Sequence, residues 1–355
     1  NWLLPHLENT QYRRRILSCM ERSHGWFNLI TDTYLPMFMS LPPEEAFEIV
    51  FLLKSALSFN KDKVLSLIDK YWMNDTSKDH LSLLVLNQLK EWDERPLTMA
   101  CQILERTDVA DYFIDSLSSL VSENAPELAP RIVKAYLNHC LAKARQEAFK
   151  ESPPLPEDAT EEQRIVYSIE HNKRQPYEKL LEIGLHNLPA IAEAAPKAFL
   201  AHVWPWFIEI GRLIAYEPHQ IRIGYRDDHS LVTDLSGDRD MKREYPIMAS
   251  LEDAITCFAV NEPDAFLTFL KEWGNEDLLV VQRMLARGLK ELVTIYPVKV
   301  FEFLIGDSRR LILGGHQDYH SDTSDLIKLV VPKLDKDKAH KLETVICQFN
   351  MYKDS

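Results

Sequence analysis

The chain has 355 residues, more than one hydrophobic core usually organises, and 46% of them are hydrophobic, which suits two domains or one elongated array of repeats. Its 10 glycines argue against a β-rich fold and against a glycine-lined nucleotide site. A formal net charge of −13 disfavours nucleic acid as the main partner, because phosphate binding is driven by Lys and Arg.

The opening residues Asn1-Trp2-Leu3-Leu4-Pro5 follow no charged n-region, and no uncharged stretch reaches membrane-spanning length. The expectation is a cytoplasmic piece of a longer polypeptide that does not touch a membrane. Cys19, Cys101, Cys140, Cys257 and Cys347 show no zinc or redox spacing, which fits a reducing compartment. Arg13-Arg14-Arg15 would fan around a helix axis and form a solvated face. In 44–59 the apolar residues Phe47, Val50, Phe51, Ala56 and Leu57 recur at helical steps, with Glu44, Glu45, Glu48 and Lys54 on the remaining arc. Asn60 or Asp62 can begin the next helix, through Val64 and Ile68, and Ser77 precedes another over 81–89. Val281, Met284, Leu285, Leu289 and Leu292 repeat the pattern later in the chain, and Asp335 can cap a last helix over 339–346.

Prolines punctuate this pattern. Pro126, Pro196, Pro263 and Pro297 each precede an apolar helical start, and the gaps between them, 70, 67 and 34 residues, approximate two, two and one copies of a unit of about 34. Proline suits the first turn of a helix because its missing N–H would have no partner there. The predicted fold is all-α: an α-solenoid of antiparallel helix pairs, TPR/HEAT-like. Two segments break the pattern. The acidic, proline-rich 151–160 divides a helical-repeat half over 1–150 from another over 161–355. Within the second half, Ile221, Ile223 and Tyr225 alternate with polar residues before Asp227-Asp228, which predicts a small β-hairpin and a charged loop inside an insertion over 218–246. Repeat insertions often map to a binding face, so Ile221, Ile223, Tyr225, Arg226 and Arg239 are predicted partner contacts. The competing reading is a plain surface loop.

No constellation for catalysis emerges. Gly314-Gly315 is followed by His316-Gln317 and not by the Lys-Ser/Thr of a phosphate loop, and neither a G-x-S-x-G elbow nor an H-E-x-x-H helix occurs. The run His316-Gln-Asp318-Tyr-His320-Ser-Asp322 could hold a metal or move protons, but its spacing matches no helix-borne ligand pair, and a polar loop leading into the next helix is the favoured reading. His316, Tyr319 and His320 are therefore predicted as partner contacts, with no catalytic, cofactor-binding or metal residue assigned. Glu161-Glu162 suits the first turn of a helix, where the macrodipole favours carboxylates. Trp204-Pro205-Trp206-Phe207 could be a binding hot spot or a core wedge. Core is the favoured reading, with Pro205 kinking the helix.

Leu311-Ile-Leu-Gly-Gly, a polar loop, Asp325-Leu-Ile-Lys-Leu-Val-Val-Pro-Lys-Leu and a closing Lys341-Leu-Glu-Thr-Val-Ile resemble the C-terminal helical-repeat regions of large bacterial STAND NTPases, in particular antiviral sensors of the Avs type. The interior helices around Asp253-Ala-Ile and Pro263-Asp-Ala-Phe266 are compatible with that resemblance, which covers the last third of the chain. In that family an effector, often a nuclease, precedes a P-loop ATPase and a long tetratricopeptide-like array. The array embraces a phage protein, the large terminase subunit or the portal, and recognition drives tetramer assembly. The resemblance implies that this chain is the sensor portion, with a phage terminase or portal as partner, oligomerisation through the parent protein, and no chemistry of its own. Two other readings stay open: a general TPR/HEAT-like scaffold without a defence role, and an all-α enzyme using the His316–Asp322 loop.

Overall fold

The computed structural model describes residues 6–7, 9–20, 24–150, 160–170, 172–218, 223–227, 245–315 and 318–350. They are helical, with no strand among the described residues. Among the described residues β-type pairing is confined to two isolated bridges, Tyr216 with Asp227 and Arg226 with Leu278. The chain divides into two compact units, Asn1–His139 and Cys140–Ser355. The division falls inside the helix Ala129–Ala148, and of the predicted linker only Thr160 is a described residue.

The first unit holds α1 (Thr10–Met20), α2 (His24–Thr31), α3 (Leu35–Met39), α4 (Pro43–Tyr71), α5 (Asp79–Leu86), α6 (Glu94–Leu104), α7 (Asp111–Asn124) and the start of α8 (Ala129–Ala148). Side chains here satisfy helix-end carbonyls one repeat back in the sequence. Trp72 Nε1 donates to the Met39 carbonyl at 3.0 Å, Arg106 Nη2 donates to that of Met73 at 2.7 Å, and His139 Nδ1 lies 3.2 Å from that of Glu105. Each donor follows its acceptor by 33 or 34 residues. These carbonyls sit in or just past the last turns of α3, α4 and α6, where no intrahelical N–H remains to reach them. The contacts therefore serve a structural need and mark the period at once. Arg106 also grips the fully buried Asp79 with Nε and Nη2 at 2.9 and 2.5 Å.

The second unit holds α9 (Glu161–Glu170), α10 (Gln175–Glu178), α11 (Leu188–Ala194), α12 (Pro196–Ile214), α13 (Pro246–Asn261), α14 (Pro263–Trp273), α15 (Leu279–Leu292), α16 (Pro297–Gly306), α17 (Ser321–Val330) and α18 (Lys336–Gln348). Thr160 and Gln163 cap α9 reciprocally, each side chain accepting from the other's backbone N–H, with Glu161 and Glu162 in the first turn. Asp335 caps α18 by accepting from Lys338 N–H at 2.8 Å. A charged ladder joins α13, α15 and α17: Arg287 pairs with Glu252, 35 residues earlier, and with Asp322, 35 residues later. Arg283, 1% exposed, meets the same Asp322 at 2.6 Å.

The proline signal resolves into one recurrent corner. Asn60, Ala125, Ala195, Tyr245, Glu262 and Tyr296 all have φ between −127° and −151° and ψ between 52° and 74°. Five of them precede a proline, whose ring disfavours the helical region for the residue before it, so a helix stops and the next one starts at a new angle. Asn60 makes the same corner without proline and splits α4 into 43–59 and 61–71. The residue three after each predicted proline is buried: Ala129, Phe199, Phe266 and Val300 are all fully inaccessible. Pro126 itself lies in a turn and α8 begins at Ala129, whereas Pro196, Pro263 and Pro297 open their helices.

Two expectations need correction. Arg13 is not on a solvated face: it is 5% exposed, pairs with Glu45 at 2.9 Å and Glu48 at 3.4 Å, and lies over the Phe38 ring, while Arg14 and Arg15 are exposed. The β-hairpin is not seen among the described residues. Asp227 instead pairs back to Tyr216, and Arg226 to Leu278, so consecutive residues bind two different neighbours. The helix α12 continues past the exposed Pro205. Trp204, Trp206 and Phe207 are core, at 0%, 3% and 0% exposure, with Trp204 centred 5.4 Å from Phe269.

Candidate interaction surface

Of the predicted contact residues, Ile221, Arg239 and His316 lie outside the described residues. Ile223 is half-buried. Tyr225 is 4% exposed; its hydroxyl donates to Asp307 Oδ2 at 2.9 Å, and the Arg309 guanidinium lies 4.0 Å from its ring centre. Burial, followed by the charge of Asp307, pushes the Tyr225 phenol above its ordinary range. Arg226 donates its N–H to the Asp277 carbonyl, accepts from Leu279 N–H, and places Nη2 3.3 Å from the carbonyls of Arg212 and Ala215. Tyr225 and Arg226 thus fasten the described stretch 223–227 of the insertion to the rest of its unit. Tyr319 is 48% exposed, and His320 is exposed with Nδ1 3.0 Å from the Leu311 carbonyl. Their loop closes tightly, since a Cβ on Gly314 would lie 2.1 Å from the Asp318 carbonyl oxygen.

The Tyr225 tie is electrostatically loaded. Burial alone would raise the Asp307 carboxyl, but hydrogen bonds from Arg309 and Tyr225 outweigh it and hold the group below the ordinary carboxylate value of 3.8. A carboxyl lowered on folding contributes stability that is present above the unfolded value and is lost as pH falls through the folded one. Asp307→Asn is expected to destabilise the chain at neutral pH by about 1.5–3 kcal/mol, and by progressively less below about pH 4. Thermal melts followed by circular dichroism across that range check it. An equal loss at every pH would show that the charge is not what holds Tyr225.

An open apolar surface lies elsewhere, on the first half of α4. Ala46, Ile49, Val50, Leu52, Leu53, Ala56 and Leu57 face the core, but Phe47 and Phe51 are 43% and 47% exposed, contrary to the helical pattern that put them inside. Their rings meet edge to face at 5.6 Å. With Leu52, Glu44 and Glu48 of the same helix and Arg14 and Leu17 of α1, they line a groove of about 400 Å³. Glu48 is held by Arg13, whereas Arg14 makes no ion pair among the described residues. The signal available in the sequence was excess. Nine of the twelve positions 46–57 are apolar, including all five of 49–53, more than one helix face can bury.

Aromatic faces beside charges of both signs suit the anchoring of a partner's side chain. Nothing in the groove is a nucleophile with a base beside it. Among the described residues no cluster of His, Cys, Asp or Glu could hold a metal ion. All five cysteines are free, and burial pushes the Cys101 thiol up to about 11, which suppresses its thiolate. No helix among the described residues is long and apolar enough to cross a membrane. Comparison with family models, with curated proteins and with solved structures gives no match to this chain.

Proposed function

We propose that the chain is a protein-recognition array, an α-solenoid of TPR/HEAT-like helix pairs, and that it forms the target-reading portion of a bacterial antiphage STAND NTPase that binds a phage terminase or portal protein. The observation that supports an array is the recurrence of side-chain contacts at 33–35 residues in both units. Stacked repeats of that length commonly present extended binding surfaces. The identity of the target rests on the resemblance of the segments between Leu311 and Ile346. In this reading the chain carries no catalysis and no cofactor, does not contact nucleic acid directly, works in the cytoplasm and assembles through its parent protein.

The test is capture. Immobilised chain is expected to retain purified large terminase subunit or portal protein, and the paired substitution Phe47→Ser/Phe51→Ser is expected to weaken that retention about tenfold or more, as loss of buried aromatic anchors does. Retention of neither phage protein removes the antiphage reading. The groove itself favours a second reading, a TPR/HEAT-like interaction scaffold without a defence role, because its chemistry fits an apolar anchor from any protein. A P-loop ATPase and an effector in the same polypeptide would decide for the first reading.

A further inference from the structure

The ladder that joins α13, α15 and α17 fixes which residues are neighbours along the edge of the second unit. Glu252, Arg287 and Asp322 are in contact in succession at steps of 35, and Lys290 meets Asp325 at 3.0 Å with the same step. The three helices therefore lie side by side with these residues level. The Tyr296 hydroxyl donates to Asp264 at 2.6 Å and ties the starts of α14 and α16 at the same edge.

That edge is apolar and open. Eight residues past Glu252, Val260 is 56% exposed; eight past Arg287, Ile295 is 61% exposed. At the equivalent place beyond Asp322 the side chain of Val330 turns inward, and its neighbours Leu329 and Val331 are 42% and 39% exposed. Val298, in the first turn of α16, adds another 41%. Single exposed apolar residues are ordinary, but a set that recurs at the same step past each ladder residue, at or just beyond the helix ends, marks a surface.

Its charge is uneven. Several acids here are ion-paired: Glu262 with Lys197 of α12, Glu302 with Lys299, and Asp325 of α17 with Lys290. Beyond Leu326 the balance reverses, with five lysines against two aspartates in 326–341 of a chain whose net charge is −13. Lys333 and Lys336 are exposed and make no ion pair among the described residues. Lys328, 75% exposed, reaches Asp325 only at 3.8 Å.

We propose that this edge docks an acidic amphipathic segment of a partner protein, with apolar side chains on Val260, Ile295, Val298 and Leu329 and carboxylates over Lys328, Lys333 and Lys336. The proposal rests on the protein-recognition reading but needs neither the groove on α4 nor a phage target. A protein segment fits better than an anionic membrane, since a chain of net charge −13 is repelled by an extended anionic surface.

The experiment is fluorescence anisotropy on the full chain with three probes: a labelled amphipathic peptide with leucines on one face and glutamates on the other, the same peptide with lysine for every glutamate, and phosphatidylserine vesicles. The acidic peptide is expected to bind saturably, more weakly as salt is raised. Ile295→Asp is expected to reduce its affinity about tenfold, and Lys333→Glu/Lys336→Glu to reduce both affinity and salt dependence. Phe47→Ser/Phe51→Ser should leave it unchanged. All these positions are exposed, and melting curves confirm folding; should Ile295→Asp melt early, Val260→Asp makes the same test. No saturable binding, equal binding of both peptides, or indifference to the Ile295 and lysine variants overturns the proposal. Vesicle binding without peptide binding assigns the edge to lipid and overturns it too. If the acidic peptide binds while terminase and portal do not, this inference stands and the antiphage reading falls.

Discussion

Replacing Asp322 by leucine is expected to destabilise the second unit by about 3–5 kcal/mol, the scale seen when one partner of a buried ion pair is removed. Its carboxylate faces two guanidiniums at once, Arg283 at 2.6 Å and Arg287 at 3.4 Å, in a site where Arg283 is 1% exposed. Leucine would leave Arg283 desolvated without the carboxylate that faces it, at a cost set by the lost hydration and not by the strength of the pair. Two further variants separate these terms. Arg283→Met/Asp322→Leu is expected to recover most of the loss, because it removes the buried cation along with its partner. Glu252→Gln, at the more exposed end of the ladder, should cost about 1 kcal/mol or less. Urea unfolding followed by circular dichroism measures all three. If the double variant is as unstable as the single one, Asp322 acts through packing and the ladder is not the tie between α15 and α17.

That ladder explains why the repeat is only half legible in the sequence. Corners at prolines can be read directly, because one residue type imposes the backbone change, and Pro196, Pro263 and Pro297 open helices as expected. Pro246 opens another that the spacing of the predicted four does not include. Where the need is for a donor to a helix-end carbonyl, any side chain of suitable length serves. The first unit uses Trp72, Arg106 and His139 for one task, and the second uses Glu252, Arg287 and Asp322 at a single register. Function is repeated while identity is not, so self-comparison of the sequence passes over both sets. Asn60 was legible as a helix start, though not as a corner with the same dihedral angles as the proline ones.

The interaction surfaces were the least legible part. Alternation at Ile223 and Tyr225 correctly signalled a departure from helix, but the physical result is a two-way tie in which Tyr225 is buried against Asp307 and Arg309. Helical periodicity assigned Phe47 and Phe51 to the core because it tracks spacing and not capacity. Once Ile49, Val50, Leu52 and Leu53 occupy the inner face, the two phenylalanines have only the flank against α1. Val260 and Ile295 are unremarkable singly. They become a surface only when the ladder shows that residues 35 apart are neighbours.

Gly288 supplies the second large effect. A Cβ there would lie 2.4 and 2.7 Å from the Phe266 ring and 2.9 Å from Ile255 Cγ2, so α15 approaches α13 and α14 more closely than any side chain allows. Phe266 has little room to move. It is fully buried, edge-on to Phe258 at 6.1 Å and stacked on Phe269 at 6.4 Å. Alanine would gain up to about 1 kcal/mol of helix propensity over glycine. Overpacking costs about 1–3 kcal/mol for a few extra atoms, so Gly288→Ala is expected to be net destabilising and Gly288→Val more so, by about 3 kcal/mol or beyond. The same urea measurement reads this. A second variant localises the strain: Gly288→Ala combined with Phe266→Leu should be more stable than the sum of the two single losses predicts, because the added methyl enters space that the ring has vacated. Strict additivity would place the strain at Ile255, and a stabilising Gly288→Ala would mean that α15 does not pack this closely. The prediction reaches beyond one contact. Phe266 is the residue three past Pro263, the position buried in every predicted repeat, so the glycine is what lets a full aromatic ring occupy it where the first such repeat has Ala129.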